Sequence, residues 1–170
     1  MIQRTAASSH VHPIRPYTDA DLPAIVELSL LAWEPVFLSF QAIFGPTLYA
    51  RLHPDWRASQ CAGVEGVCRD RERYTTLVAE REQQVVGFLA YEIDAEAARG
   101  EIVLLAVHPA HQNAGIGTAL NQRALEELQA AGVQIAIVET GGDPSHAAAR
   151  RTYEKAGYTA MPIVRYFKAL

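Results

Sequence analysis

The run from Glu101 to Ala131 constrains this chain more than any other. It reads Glu-Ile-Val-Leu-Leu-Ala-Val-His-Pro-Ala-His-Gln-Asn-Ala-Gly-Ile-Gly and then continues as a long amphipathic segment. Residues 101–107 are apolar on both faces after the first, the pattern of a mostly buried strand, and Pro109 ends it. From Gly115 onward the apolar residues take helical spacing. Ile116, Leu120, Ala124, Leu128 and Ala131 share one face, with Asn121, Gln122, Glu126 and Gln129 largely off it. Between strand and helix, Gln112-Asn113-Ala114-Gly115-Ile116-Gly117 places two glycines at a helix N-terminus. Backbone amides there approach an anion closely, and the helix dipole favours negative charge. The segment is suited to a pyrophosphate.

Two common pyrophosphate loops do not fit. A Walker A loop needs Gly-Lys-Ser/Thr after its second glycine, and Thr118-Ala119 follows without the lysine. A dinucleotide fingerprint needs its glycines directly after the strand and a third Gly or Ala at the sixth position. Here seven residues, His108 to Ala114, intervene, and Leu120 occupies the sixth position. The arrangement resembles instead the acetyl-CoA signature of the GNAT superfamily of N-acetyltransferases, Gln/Arg-x-x-Gly-x-Gly/Ala after a strand ending in Val-x-Pro. A second block, His146-Ala147-Ala148-Ala149-Arg150-Arg151-Thr152-Tyr153-Glu154-Lys155-Ala156-Gly157-Tyr158, resembles the superfamily's Asn-x-x-Ala-x-x-x-Tyr-x-x-x-Gly-Phe/Tyr segment. One departure is plain: His146 stands where asparagine is usual.

The remaining chain reads in the same order as that fold. Residues 1–10 lack periodicity and read as a loose tail, and Val11 to Arg15 as a first strand. Leu22, Ile25, Val26, Ser29, Leu30 and Trp33 form a helical stripe that Pro35 is expected to end. Residues 36–56 interleave aromatics with Pro46, Pro54 and Gly45. They read as a pair of short helices closing the core and, from the resemblance, as an aromatic wall for the acyl acceptor. A polar helix is expected over 57–72, then two antiparallel strands, 74–80 and 85–93, joined by a charged hairpin. Gly87 marks a bulge or a close backbone contact. Gly132 caps the central helix, 133–138 is another strand, Asp143-Pro144 starts a helix that Gly157 stops, and 163–168 is a last strand. The resemblance thus implies one α/β (α+β) domain over residues 11–170. Its mixed sheet would have about six to seven strands flanked by about four helices, with splayed strands binding acetyl-CoA.

Composition excludes other classes. A chain of 170 residues, 49% hydrophobic and 20% charged, suits one globular domain with a real core. Its 15 basic and 19 acidic residues give a net charge of −4 without a basic run, which argues against nucleic acid as a partner. No apolar stretch is expected to reach membrane-span length, and no charged-then-apolar leader is expected before the first strand. Cys61 and Cys68, seven apart, form neither a metal pair nor a disulfide framework. A cytoplasmic location is the default.

The resemblance also assigns roles. Coenzyme A would be held by Leu105, Ala106 and Val107 of the strand, by the loop Gln112, Asn113, Ala114, Gly115, Ile116, Gly117 and Thr118, and by His146. No metal is expected: His108 and His111 lack a third ligand nearby. Acetyl transfer to an amine needs a base, because an ammonium with pKa about 10 is mostly charged at neutral pH. Glu101, fourteen residues before Gly115, is the leading base, with Glu139 or water in reserve. Tyr153 would protonate or hydrogen-bond the leaving thiolate. The expected activity is acetyl-CoA-dependent N-acetylation of an amine on a small molecule or protein. The alternative is a non-catalytic acyl-CoA-binding module. The acceptor's identity and a homodimer are left open.

Overall fold

The computed structural model describes residues 13–170, so the expected tail and Val11 lie outside the described residues. Five strands form one sheet in chain order: β1 (Ile14–Pro16), β2 (Tyr74–Arg81), β3 (Gln84–Asp94), β4 (Arg99–Val107) and β5 (Ile135–Val138). The first four pair antiparallel, and β5 joins β4 in parallel through the crossover helix α3 (Ile116–Ala130). Helices α1 (Leu22–Leu52) and α2 (Trp56–Arg69) come before β2, and α4 (Ala147–Lys155) follows β5.

Strand alternation divides the core in two. Paired Leu77 and Leu89 face α3, packing with Ile102, Ile116, Leu120, Ala124 and Leu128. The next pair along, Val78 and Phe88, faces the opposite layer with Ile25, Leu28, Val64, Cys68 and Ala106. Gly87 lets α3 sit against the sheet: a Cβ there would lie 3.0 Å from Ile116 Cγ2 and 3.2 Å from both Ala106 O and Leu120 Cδ1. The charged hairpin is a two-residue turn, with Glu82 and Gln83 both at positive φ (52° and 65°) between paired Arg81 and Gln84. That geometry matches the right-handed strand twist. Gly132 (φ 84°) and Gly157 (φ 89°) end α3 and α4 as expected. In each, the following amide bonds back five residues, Val133 to Leu128 and Tyr158 to Tyr153.

Four expectations need correction. Pro35 does not end α1; the helix runs through it and bends at Gly45 (φ 69°), with Pro46 opening its last turns. Burial of Val36 and ring packing by Phe37 and Phe40 hold the helix together past the proline. By length and composition, residues 19–52 are also apolar enough to cross a membrane, contrary to the reading above. In this fold Ile25, Leu28 and Val36 of that helix are buried. Asn121 is not off the buried face of α3 but fully buried, accepting a 3.4 Å hydrogen bond from the Tyr158 hydroxyl. The expected strand at 163–168 is not formed; five strands are present among the described residues. Phe167 instead packs edge-on to Phe44 at 5.0 Å, and Arg51 bonds the Leu170 carbonyl at 2.9 Å.

Candidate active site

The site begins as a gap in the sheet. β5 pairs with β4 only from Arg99–Ile135 to Ile102–Val138, leaving residues 103–107 of β4 without a strand partner on that side among the described residues. A bulge assists the separation: Ala90 pairs with Leu104 and Tyr91 with Ile102, so Val103 is the extra residue and bends the strand. The register then says which amides are free. His108 N donates to Val86 O, so by the two-residue period Leu104 and Ala106 also turn their amides to β3. Leu105 and Val107 therefore present theirs to the gap.

A cleft of about 580 Å³ occupies this gap. β4 and the N-terminus of α3 form one wall, Glu139 and α4 the other, and Ala32, Trp33 and Val36 of α1 close one side. Of the residues expected to hold coenzyme A, Leu105, Ala106, Val107, Gln112, Asn113, Gly115, Ile116, Gly117, Thr118 and His146 all line it; Ala114 does not. Gly115 (φ 82°) turns the chain into α3, and the first intrahelical bond is Ala119 N to Gly115 O. By helical geometry the amides of Ile116, Gly117 and Thr118 have no carbonyl four residues back to bond. Gln112 is partly committed elsewhere, since its side chain donates to Val107 O at 3.1 Å. A Cβ on Gly117 would meet only Val107 Cγ2, at 3.6 Å. The donor set, amides on a glycine turn without a fixed cation, fits an extended pyrophosphate chain.

Tyr153 lines the cleft and is 8% exposed. Burial, then the adjacent Tyr158, pushes its hydroxyl up to about 12, so it is protonated throughout the neutral range. The two rings meet edge-on at 5.7 Å, and Asn121 holds the second one. Glu101 sits between Glu92 of β3 and Ile137 of β5, half-buried, and does not line the cleft. Glu139, exposed at the end of β5, does.

At the start of α4 lies a polar knot, built from Asp143, expected only as a helix start, and His146, expected to hold coenzyme A. Asp143 Oδ1 and His146 Nδ1 are 2.5 Å apart. The other oxygen, Oδ2, accepts from Ser39 Oγ of α1 at 2.6 Å, from Ser145 N at 3.1 Å and from the Ser145 hydroxyl. Arg150 clamps the backbone, donating to Gly141 O at 2.5 Å and Asp143 O at 2.8 Å. Burial opposes ionisation of Asp143, yet the bonds from Ser145, Ser39 and His146 outweigh it and hold the carboxyl below the usual range. An Asp-x-x-His spacing at a helix start was the available signal; Ser39, 104 residues away, gave none.

The aromatics of residues 36–56 form a connected stack beside this knot. Phe37 stacks on Trp56 at 4.3 Å, while Phe40 stacks on His53 at 5.7 Å and on His146 at 6.0 Å. Burial lowers the pKa of His53. No group of three His, Cys, Asp or Glu residues suited to a metal is found among the described residues.

Comparisons agree with this architecture. A mycothiol acetyltransferase from Sanguibacter keddieii is 38% identical over 92 residues, covering 51% of this chain and 29% of that protein. An IAA acetyltransferase from Azospirillum brasilense is 40% identical over 65 residues, covering 38% of this chain and 42% of that one. The matched part of this chain thus spans less than half the length of either relative. Among solved structures, the PaiA N-acetyltransferase of Thermoplasma acidophilum in complex with coenzyme A superposes with TM-score 0.67 at 18% identity, covering 88% of this chain and 90% of that one. An aminoglycoside 6'-N-acetyltransferase from Acinetobacter haemolyticus gives 0.65 at 18% identity, with 93% and 98% covered. The profile described as Acetyltransferase (GNAT) family matches residues 33–158, which takes in α2, the sheet from β2 to β5, the glycine turn and Tyr153. The chain belongs to the acetyltransferase (GNAT) family.

Proposed function

We propose that this protein is an acetyl-CoA-dependent N-acetyltransferase that acetylates a primary amine of a small molecule or protein in the cytoplasm. One observation carries the reading: β4 parts from β5 beyond Ile102 beside the α3 N-terminus, giving a cleft with free amides along its length. In this reading the amides of Ile116, Gly117 and Thr118 hold the pyrophosphate. The thioester carbonyl lies against the Leu105 and Val107 amides, which stabilise the oxyanion as the amine attacks. Tyr153 donates to the departing thiolate. Glu101 takes the acceptor's proton through water because it stands off the cleft, and Glu139 lines the route of a cationic acceptor. The N-acetyltransferase names of the structural neighbours support nitrogen as the acceptor atom.

The test is calorimetric titration with acetyl-CoA, followed by thiol release with a panel of primary amines. Micromolar binding and amine-dependent release are expected. Binding without release to any amine would make the chain a non-catalytic acyl-CoA module; no binding would remove both.

A further inference from the structure

The knot at the start of α4 does more than cap a helix. Asp143 is ionised, so the group opposite its Oδ1 at 2.5 Å must be a donor, and His146 Nδ1 carries the proton. When the ring is neutral, Nε2 then carries the lone pair, and His146 lines the cleft. Ser39 and the backbone of Ser145 fix the carboxylate, and Phe40 fixes the ring face. Gly141 is needed for this packing, because a Cβ there would fall within 3 Å of both the imidazole and the carboxylate. A carboxylate orienting Nδ1–H, with Nε2 left for chemistry, is the arrangement that makes imidazole a base.

We propose that His146, positioned by Asp143, is a general base that touches the acceptor nucleophile in the cleft. The inference rests on the acetyl-transfer reading and adds a direct proton route to the water-borne one through Glu101. The balance is simple. Nε2 takes one proton from the acceptor ammonium and passes it to solvent. The freed amine forms the C–N bond at the thioester carbon, the C–S bond breaks, and the second nitrogen proton ends on the coenzyme A thiol through Tyr153 or solvent. The charged groups around the ring act in both directions. Asp143 and, on the same wall, Glu139 are negative; Arg150, Arg151 and Lys155 on α4 are positive. From α1 the ring meets uncharged Phe40, and Ser39 bonds its Asp143 partner.

The experiment uses the full chain with acetyl-CoA and four probe amines: tyramine, ethanolamine, glucosamine and a tripeptide with a free N-terminus. Thiol release is followed from pH 6 to 9 for wild type, His146→Gln, His146→Ala and Asp143→Asn, with circular dichroism confirming the fold. His146→Gln should lose roughly 10²- to 10⁴-fold in rate and the ionisation on the acid limb. A loss confined to acetyl-CoA affinity, with a native rate and profile at saturating acetyl-CoA, would return His146 to the coenzyme A contact that the resemblance assigns it and overturn the proposal. Added imidazole should partly restore His146→Ala, and Asp143→Asn should shift the acid limb. A native rate and profile in His146→Gln overturns the proposal. Ring-¹⁵N NMR of histidine-labelled wild type decides the dyad even if no probe turns over. An Nδ1-protonated tautomer supports it, and an Nε2-protonated tautomer, or an imidazolium persisting to pH 9, overturns it. Failure of wild type to bind acetyl-CoA rejects the acetyl-transfer reading instead, whatever the tautomer.

Discussion

Removing the Tyr153 hydroxyl tests the leaving-group assignment most directly. Burial raises its pKa to about 12, whereas a cysteine-like thiol ionises near 8.5. Full proton transfer to the thiolate is therefore uphill by roughly 3.5 units, on the order of 5 kcal/mol at 1.36 kcal/mol per unit. The hydroxyl is a better hydrogen-bond donor than acid here. A hydrogen bond to a charged acceptor contributes about 1.5–3 kcal/mol, which corresponds to roughly 10- to 150-fold in rate. Tyr153→Phe keeps the ring that packs on Tyr158, so melting temperature and acetyl-CoA affinity should change little. Single-turnover acetyl transfer should slow within that range. The loss should shrink with a donor whose thiol is more acidic, because less negative charge then accumulates on sulfur. A native single-turnover rate would reduce Tyr153 to packing. A large loss accompanied by a collapsed melting temperature would make the hydroxyl structural.

Other consequences can be measured independently. Gly87→Ala should destabilise the fold by about 1–3 kcal/mol in urea melts, since its Cβ meets Ile116, Leu120 and the Ala106 carbonyl, and should weaken acetyl-CoA binding by displacing the start of α3. Gly117→Glu should abolish acetyl-CoA binding through its carboxylate, as its Cβ alone is accommodated; calorimetry showing native affinity in the folded variant would reject the loop as the pyrophosphate site. The Arg15 hydrogen bonds, opposed by burial and aided by Thr18, lower the Asp21 pKa to about 2. A depressed folded pKa contributes stability that is complete above about pH 4 and lost as pH falls towards 2, so Asp21→Asn should flatten acid denaturation over that window. Conversely, burial raises Tyr153 and Tyr158 to about 12, so their contribution is intact below about pH 10 and lost between 10 and 12, a trend that thermal melts across that range should follow.

Most of the fold was legible from local pattern. The hydrophobic alternation of β2 and β3, the buried run of β4 and the 3.6-residue stripe of α3 each demand one structure. So do the glycines at 115, 132 and 157, which all take positive φ. The glycine turn and Tyr153 were legible because one chain segment positions each. What failed depended on distant partners. Pro35 signals a stop locally, but packing of the following turns outweighs it. Asn121 reads as polar surface until Tyr158, 37 residues away, covers it. Residues 163–168 carry a strand pattern, yet a strand needs a neighbour, and Phe167 of this segment packs instead on Phe44 of α1.

Local pattern was enough to define a strand, a turn of exposed amides and a helix, because backbone conformation and burial periodicity are set within a few residues. Long-range packing set where β4 leaves β5, which two amides face the gap, that Glu139 rather than Glu101 lines it, and that Ser39 reaches Asp143 beside His146. Each of these joins groups far apart in the chain. Such contacts follow from strand register and packing, which local periodicity does not encode.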